Sequence, residues 1–444
     1  MELMDLSKFE TLSPFEIKDE LIKLAKKTSR TTQSAFLNAG RGNPNWIATT
    51  PREGYFLLGQ FAVTESKRVM EHPAGLGGMP QAKGSAGRLD EWLAKHADMP
   101  GASFLSSMVT FAVKKFGFEP DAFVHELVDS IIGDNYPVPD RMLVHNERIV
   151  HEYLMWAVCG DPVPTGKFDL YAVEGGTAAM CYIFKSLKMN RLLRPGDTIA
   201  LGTPIFTPYL ELPHLEDYGL NFVTIQAPQE NRFQFTDGEL KKLEDPKIKA
   251  FFLVNPGNPT GMALSREVIG KIATLVKTKR PDLLLLTDDV YGTFVENFRS
   301  LLGELPHNTI GVYSYSKYVG CTGWRLGVIA IHEDNIFDKA IAKLPPADLK
   351  ALDKRYGALT LEPRKIKFID RIVADSRDVA LNHTAGLALP QQVMMSMFSL
   401  AELMDTSKQY QKACMEILHR RAWHSSEAWA WSSARIRCTT PTTA

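Results

Sequence analysis

The chain has 444 residues, 45% of them hydrophobic and 23% charged, with 51 Lys and Arg set against 51 Asp and Glu. That length exceeds one compact core, so two domains are expected; no basic excess suggests a nucleic-acid partner, and no acidic run suggests a disordered tail. No apolar run reaches 18 residues, and the N-terminus shows no leader-type hydrophobic stretch, so neither a membrane span nor a secreted product is expected. Cys159, Cys181, Cys321, Cys414 and Cys438 are scattered without CxxC spacing, which points to reduced thiols and a cytoplasmic location. The histidines form no HxxxH or HxH pair, so no metal site is expected.

Ser13-Pro-Phe-Glu16 has the residue types of a capping box with proline at the first helical position, predicting an amphipathic helix to about Lys27. A glycine-rich loop follows, Asn38-Ala-Gly40-Arg41-Gly42-Asn-Pro44-Asn45, and Thr50-Pro-Arg-Glu53 opens a second helix by the same capping logic. Residues 53–132 read as largely helical with a glycine-rich break at Gly75–Gly84, and Asn135-Tyr136-Pro-Val-Pro makes a loop. Residues 150–330 then alternate strand and helix, the pattern of a mostly parallel sheet.

Within that alternation four strand ends carry chemistry. Phe168–Val173 runs into Gly175-Gly176-Thr177 and a helix whose exposed amides and positive end suit a phosphate dianion. Ala250–Val254 ends in the turn Asn255-Pro-Gly-Asn258-Pro-Thr-Gly261. The unbroken apolar run Leu283–Leu286 marks a fully buried strand that ends in Asp288, with Tyr291 beyond. Thr309–Tyr315 leads to Lys317, where an amine at a strand end can shed its proton and condense with an aldehyde; Arg325 downstream offers a fork of donors to a phosphate. Between these lies Gly202-Thr-Pro-Ile-Phe206-Thr-Pro-Tyr209. Taken singly, each has a plainer reading: a turn at Gly175, a turn at Asn258, a helix cap at Asp288, a core ring at Phe206, a surface ion pair at Arg325. Their order and spacing from Gly175 to Arg325 make them a set.

The set resembles the fold-type I pyridoxal 5′-phosphate (PLP) enzymes, the aspartate aminotransferase superfamily. The resemblance implies an α/β fold with a mostly parallel, seven-stranded central sheet in a large domain and a small domain whose C-terminal part is incomplete. It also implies PLP as cofactor: Lys317 carries the cofactor's aldehyde, Asp288 holds the pyridine nitrogen, and Asn258 and Tyr291 hold the ring's 3′-oxygen. Gly175, Gly176, Thr177, Ser314 and Arg325 then form the phosphate cup, Phe206 stacks on the ring, and Tyr136 reaches a neighbouring subunit's phosphate or packs its own loop.

Longer strings, LNAGRGNPNW, NYPVPDRML, AVEGGTAAM, TDDVYGTF, GCTGWRLG and ADSRDVALNHTAGL, are similar to the bifunctional aspartate aminotransferase/L-aspartate β-decarboxylases. That narrower resemblance implies release of CO2 from the β-carboxylate of L-aspartate to give L-alanine, with transamination to 2-oxoglutarate beside it. It implies a homodimer or larger homo-oligomer, with no nucleic acid or membrane partner. Arg41, Gly42, Lys18 and Thr384 become the substrate candidates, Arg41 alternatively making a surface ion pair. The expected division is an N-terminal arm and small-domain segment at 1–52, a family-specific helical insertion at 53–132, the PLP-binding domain at 133–390, and the start of the small domain at 391–444. The alternatives are a plain class I aminotransferase, an inactive form that only binds PLP, and a regulatory module; the last needs a basic helix-turn-helix that the N-terminus lacks.

The family continues past position 444, and its missing part supplies the arginine for the substrate's α-carboxylate. Trp423, Trp429 and Trp431 crowd into the tail and no amphipathic period survives there. With GC-rich codons, the adjacent frame from the last base of Arg421 can be read as GLAFFGGLGLELGEDPLYDAYY, so a frameshift near codon 421 is expected.

Overall fold

The structure is a computed structural model that describes residues 14–32, 42–211, 218–380 and 386–438; within them the side chains of 14, 15, 18, 28–32, 379, 380 and 424–438 are not described. Helix α1 spans Pro14–Thr32. A helical layer follows, α2 (Thr50–Val69), α3 (Ser85–Lys95), α4 (Ala102–Phe116) and α5 (Pro120–Ile132), interrupted by the hairpin β1 (Glu71–His72) and β2 (Leu76–Gly77). One capping expectation is corrected here. Thr50 is inside α2 and Thr49 is its N-cap, in helical rather than extended conformation, so its side chain makes no capping bond. By contrast Glu119, extended at the start of α5, accepts from the N–H groups of Asp121 and Ala122.

After α6 (Val144–Leu154) and a single π turn at Met155–Cys159, the chain enters a seven-stranded sheet. Its strands are β3 (Phe168–Val173), β4 (Thr198–Thr203), β5 (Asn221–Gln226), β6 (Ile248–Val254), β7 (Leu284–Asp288), β8 (Thr309–Ser314) and β9 (Gly327–His332), in the spatial order β3-β9-β8-β7-β6-β4-β5. Only β9 runs antiparallel to its neighbours, so the sheet is mostly parallel, as expected. The helices are α7 (Gly176–Met189), α8 (Pro208–Glu211), α9 (Asp237–Lys241), α10 (Arg266–Thr278), α11 (Leu301–Glu304), α12 (Ile336–Ala342), α13 (Pro346–Tyr356), α14 (Phe368–Ala380), α15 (Leu389–Met404) and α16 (Gln409–Cys438).

Both faces of the sheet are covered, which is why its central strands carry unbroken apolar runs rather than apolar residues at alternate positions. The two-residue period still decides which core each side chain joins. Ala250, Phe252 and Val254 of β6 pack with α7 and α14, while Phe251 and Leu253 pack with α10. In β8, Ile310 and Val312 face the α7 side and Tyr313 faces the layer built by α2, α6 and α15. The carboxyl ends of β6, β7 and β8 therefore emerge side by side between two packed layers, the place where parallel sheets offer ligands a crevice. Among the described residues no helix is long and apolar enough to cross a membrane.

Candidate active site

Strand β8 delivers the amine. Past Ser314 the chain leaves the sheet, pinned by the fully buried rings of Tyr315 and Tyr318 on either side of Lys317. The Lys317 ammonium nitrogen donates to the Gly42 carbonyl at 2.8 Å, so Gly42 lies directly on it. Burial lowers this amine's proton affinity; the Asp288 carboxylate opposes the effect and the Arg325 guanidinium reinforces it. An amine so placed is closer to its neutral, nucleophilic form than a surface lysine.

Strand β7 delivers the acid. Asp288 is buried, and its Oδ2 accepts the Tyr209 hydroxyl at 2.7 Å while its Oδ1 accepts the Val290 N–H at 3.1 Å. Burial raises this carboxyl, and Tyr209, Val290 and the Lys317 charge pull it back. Next to it, burial pushes Asp289 up to about 8 although Ser300 and Thr287 donate to it. Strand β6 contributes Asn258, whose amide donates to the Tyr291 hydroxyl at 3.4 Å, so the two candidates for one ring oxygen converge.

The anion end lies where β3 turns into α7. Gly175 has φ +93, and a Cβ there would sit 2.5 Å from the Arg325 guanidinium; only glycine permits this approach. Arg325 is held by Thr322 O at 3.0 Å and Glu174 O at 3.1 Å. Its own φ of +56 costs about 1 kcal/mol, a strain that persists because the surrounding contacts dictate it. No side chain caps α7, so the first-turn amides of Gly176 and Thr177 remain for a ligand. A Cβ on Gly176 would stand 3.4 Å from Asp288 Oδ2 and 3.6 Å from the Tyr209 hydroxyl, which joins the anion end to the acid. Amine, buried acid, paired ring-oxygen donors and an uncapped helix start beside an arginine are the donor set that PLP requires; the residues present fit the group.

Most of the anticipated residues thus come together: Gly42, Gly175, Gly176, Thr177, Asn258, Asp288, Tyr291, Lys317 and Arg325. Ser314 is buried at the end of β8, with its hydroxyl directed to Leu326 O at 3.1 Å and Ser316 Oγ at 2.8 Å. Phe206 is half-buried and meets Tyr209 edge-on, ring centres 5.2 Å apart. Tyr136 is 66% exposed on the loop between α5 and α6. Arg41, Thr384 and the Lys18 side chain lie outside the described residues. Tyr209 was missed: it lies in the one-turn helix α8, three positions after Phe206, in a turn closed by its N–H on Phe206 O at 2.8 Å that brings the two rings together. Among the described residues no cluster of His, Cys, Asp and Glu could hold a metal ion.

The profile of "Aminotransferase class I and II" matches residues 176–355. A Pseudomonas protein named "Bifunctional aspartate aminotransferase and L-aspartate beta-decarboxylase" is 50% identical over 418 residues, 94% of this chain and 78% of that protein. Among solved structures, Thermus thermophilus aspartate aminotransferase double mutant 1 aligns with a TM-score of 0.51 at 15% identity, over 95% of this chain and 78% of that one. Apo-BacF from Bacillus subtilis gives 0.52 at 16% identity, over 95% and 77%. At those identities the two structures speak for the fold.

Proposed function

The chain belongs to the family of bifunctional aspartate aminotransferases and L-aspartate β-decarboxylases, and from that premise we propose that it converts L-aspartate to L-alanine and CO2, with transamination between aspartate and 2-oxoglutarate as a side activity. The observation that carries the reading is Lys317, a half-buried amine of lowered proton affinity, resting on Gly42 beside a buried acid.

PLP, the cofactor of this family, supplies an electron sink for charge released at the substrate's Cα. Asp288 would hold its ring nitrogen, Asn258 and Tyr291 its ring oxygen, and Arg325, Ser314, Thr177 and the α7 amides its phosphate. In its neutral form the Lys317 amine is placed to take the Cα proton of the amino acid and to return it elsewhere. Tyr209 keeps Asp288 turned and favours its ionised form against the cost of its burial. Gly42 covers the amine and leaves room at its tip, since even a Cβ there would come within 3.1 Å of Nζ. Arg41, next to Gly42, is the candidate for one substrate carboxylate, with Lys18 and Thr384 as helpers. Loss of the β-carboxyl as CO2 separates this activity from plain transamination, in which the carbon skeleton leaves intact as oxaloacetate. We further place the chain in a homo-oligomer, at least a dimer, with exposed Tyr136 reaching the neighbouring site, and in the cytoplasm, in keeping with free thiols at Cys159, Cys181, Cys321 and Cys414.

The deciding assay mixes the purified chain with PLP and L-aspartate and quantifies alanine, CO2 and oxaloacetate. Alanine matched mole for mole by CO2 is the expected result. Oxaloacetate without CO2 would replace the reading by a plain aminotransferase, and PLP absorbance without either product by a binding-only form.

A further inference from the structure

The loop that carries Lys317 is gripped from three directions immediately after the amine. Tyr318, fully buried, donates its hydroxyl to Glu402 Oε2 of α15 at 2.9 Å. Its carbonyl accepts the Trp46 indole N–H at 3.0 Å and the Tyr410 hydroxyl of α16 at 3.1 Å. The next two carbonyls, Val319 O and Gly320 O, accept the Arg52 guanidinium at 3.1 and 2.8 Å, and that guanidinium lies 5.1 Å from the Phe398 ring, one turn before Glu402 on α15. Gly320, at φ +61, has no space for a Cβ against the Trp46 backbone. Trp46 in turn follows Gly42, on which the Lys317 amine rests, by four residues. One end of the lysine and the backbone beyond it are thus tied into one network, and Glu402 is its acid.

Glu402 is an unusual acid to find there. It is 8% exposed and forms no ion pair among the described residues. The groups facing it are Tyr318 from the lysine loop, Tyr313 from β8, Tyr153 from α6, Tyr410 and Cys414 from α16, and Asp405 beyond its own helix. Those phenols and the thiol stay protonated at neutral pH, because burial raises all of them, and Asp405 is repulsive. Arg52 faces the loop from α2 and spends its donors on backbone carbonyls. Among the described residues the carboxyl therefore has one hydroxyl donor and no countercharge.

We propose that Glu402 is a positioning residue for Lys317: as a carboxylate it grips the Tyr318 hydroxyl and holds the lysine loop closed on Gly42, and on taking a proton it relaxes that grip. The proposal rests on reading Lys317 as the reactive amine. A hydroxyl bond to an ionised oxygen is shorter and about twice as strong as one to a neutral acid, so the switch has a structural consequence at the residue next to the amine. Burial pushes the Glu402 carboxyl up to about 7, with Tyr318 pulling it down, which puts the change within the working range of an enzyme.

The test follows PLP capture by the apoprotein through its absorbance between about pH 5.5 and 9, a range that brackets the carboxyl, in wild type, Glu402→Gln, Tyr318→Phe and the double variant. The wild type should show an inflection near pH 7. Glu402→Gln should lack it, matching wild type at low pH and capturing about fivefold more slowly at high pH. Tyr318→Phe should behave alike, and the double variant should lose no more than either single one. Glu402→Gln should melt no lower than wild type at high pH, since a neutral amide replaces a buried charge, which separates positioning from mere support of the fold. An inflection retained in Glu402→Gln, or losses that multiply in the double variant, would overturn the proposal. Capture by Lys317→Ala at the wild-type rate would overturn the Lys317 reading and this inference with it.

Discussion

Glu65 and Asp288 are both buried acids, one in the helical layer and one at the end of the sheet, and they have been solved in opposite ways. Glu65 takes Arg88 at 2.7 Å and Arg68 at 3.1 Å. Burial works against its charge, yet the bonds from the two arginines outweigh that and leave its carboxyl below the usual range. Asp288 has a phenol and one backbone N–H for partners, no cation in contact among the described residues, and a carboxyl raised by burial. An acid paired inside the protein is finished when folding is finished. An acid buried on neutral hydrogen-bond donors, with Lys317 acting on it only from a distance, suits a positively charged partner, and a protonated pyridine nitrogen is such a partner. The same contrast runs through both regions. Asp121 in the helical layer closes on the Gly84 and Ala86 amides, whereas the α7 amides at the sheet edge have no side-chain cap.

The strongest way to break this comparison is at its centre. Lys317→Ala removes the amine while leaving Asp288, Asn258, Tyr291 and Arg325 in place. Turnover of L-aspartate should fall by about 10²–10⁴-fold, with a folded, PLP-binding protein left behind. Alanine release and cofactor absorbance check the two halves of that statement. A variant that kept more than a few per cent of wild-type turnover would mean that another group moves the Cα proton.

How much of this was legible in the sequence follows from how far apart the interacting residues stand. Gly175, Asn258, Asp288, Lys317 and Arg325 each sit at the end of an apolar strand, and a turn within a few residues already reveals them. The parallel sheet was legible for the same reason, because unbroken runs such as Leu283–Leu286 need cover on both faces. The reversal of β9 was not, since a short apolar strand carries no mark of its direction. Tyr209 reads as a core ring until its hydroxyl is seen on Asp288, 79 positions away. Glu402 lies in a helix where Met394–Leu400 dominates the pattern, and its partner Tyr318 is 84 positions off. At α2 the error was one residue: Thr49 and Thr50 both suit a cap by type, and the Glu53 N–H bonded to Thr49 O at 2.9 Å makes Thr49 the cap.

A finer probe of the sheet edge is Tyr209→Phe, which keeps the ring against Phe206 and Phe252 and deletes one donor. A bond from a hydroxyl to a charged oxygen contributes about 1.5–3 kcal/mol, so turnover should drop by roughly tenfold or somewhat more. The sign of the pH effect is fixed. Tyr209 stabilises the ionised carboxyl, so without it the already raised Asp288 titrates higher still, and the acid limb of kcat/KM moves to higher pH. An unmoved limb with unchanged turnover would show that Val290 alone suffices to hold the acid.

The smallest effect on chemistry is expected from the other side of the comparison. Glu65→Gln leaves Arg88 and Arg68 facing a neutral amide, and because both arginines are partly exposed, water takes up much of the loss; the cost should be about 1–3 kcal/mol of stability. Turnover per folded molecule should not change. The pH dependence distinguishes this from a simple packing defect. Glu65 titrates below its unfolded value, so its contribution is present above the unfolded carboxylate range and disappears as pH falls through the lowered folded value. Melting curves of wild type and Glu65→Gln should therefore lie apart at neutral pH and converge in acid. Curves that stayed parallel down to acid would assign the difference to packing of the side chain and remove Glu65 as the counterexample to Asp288.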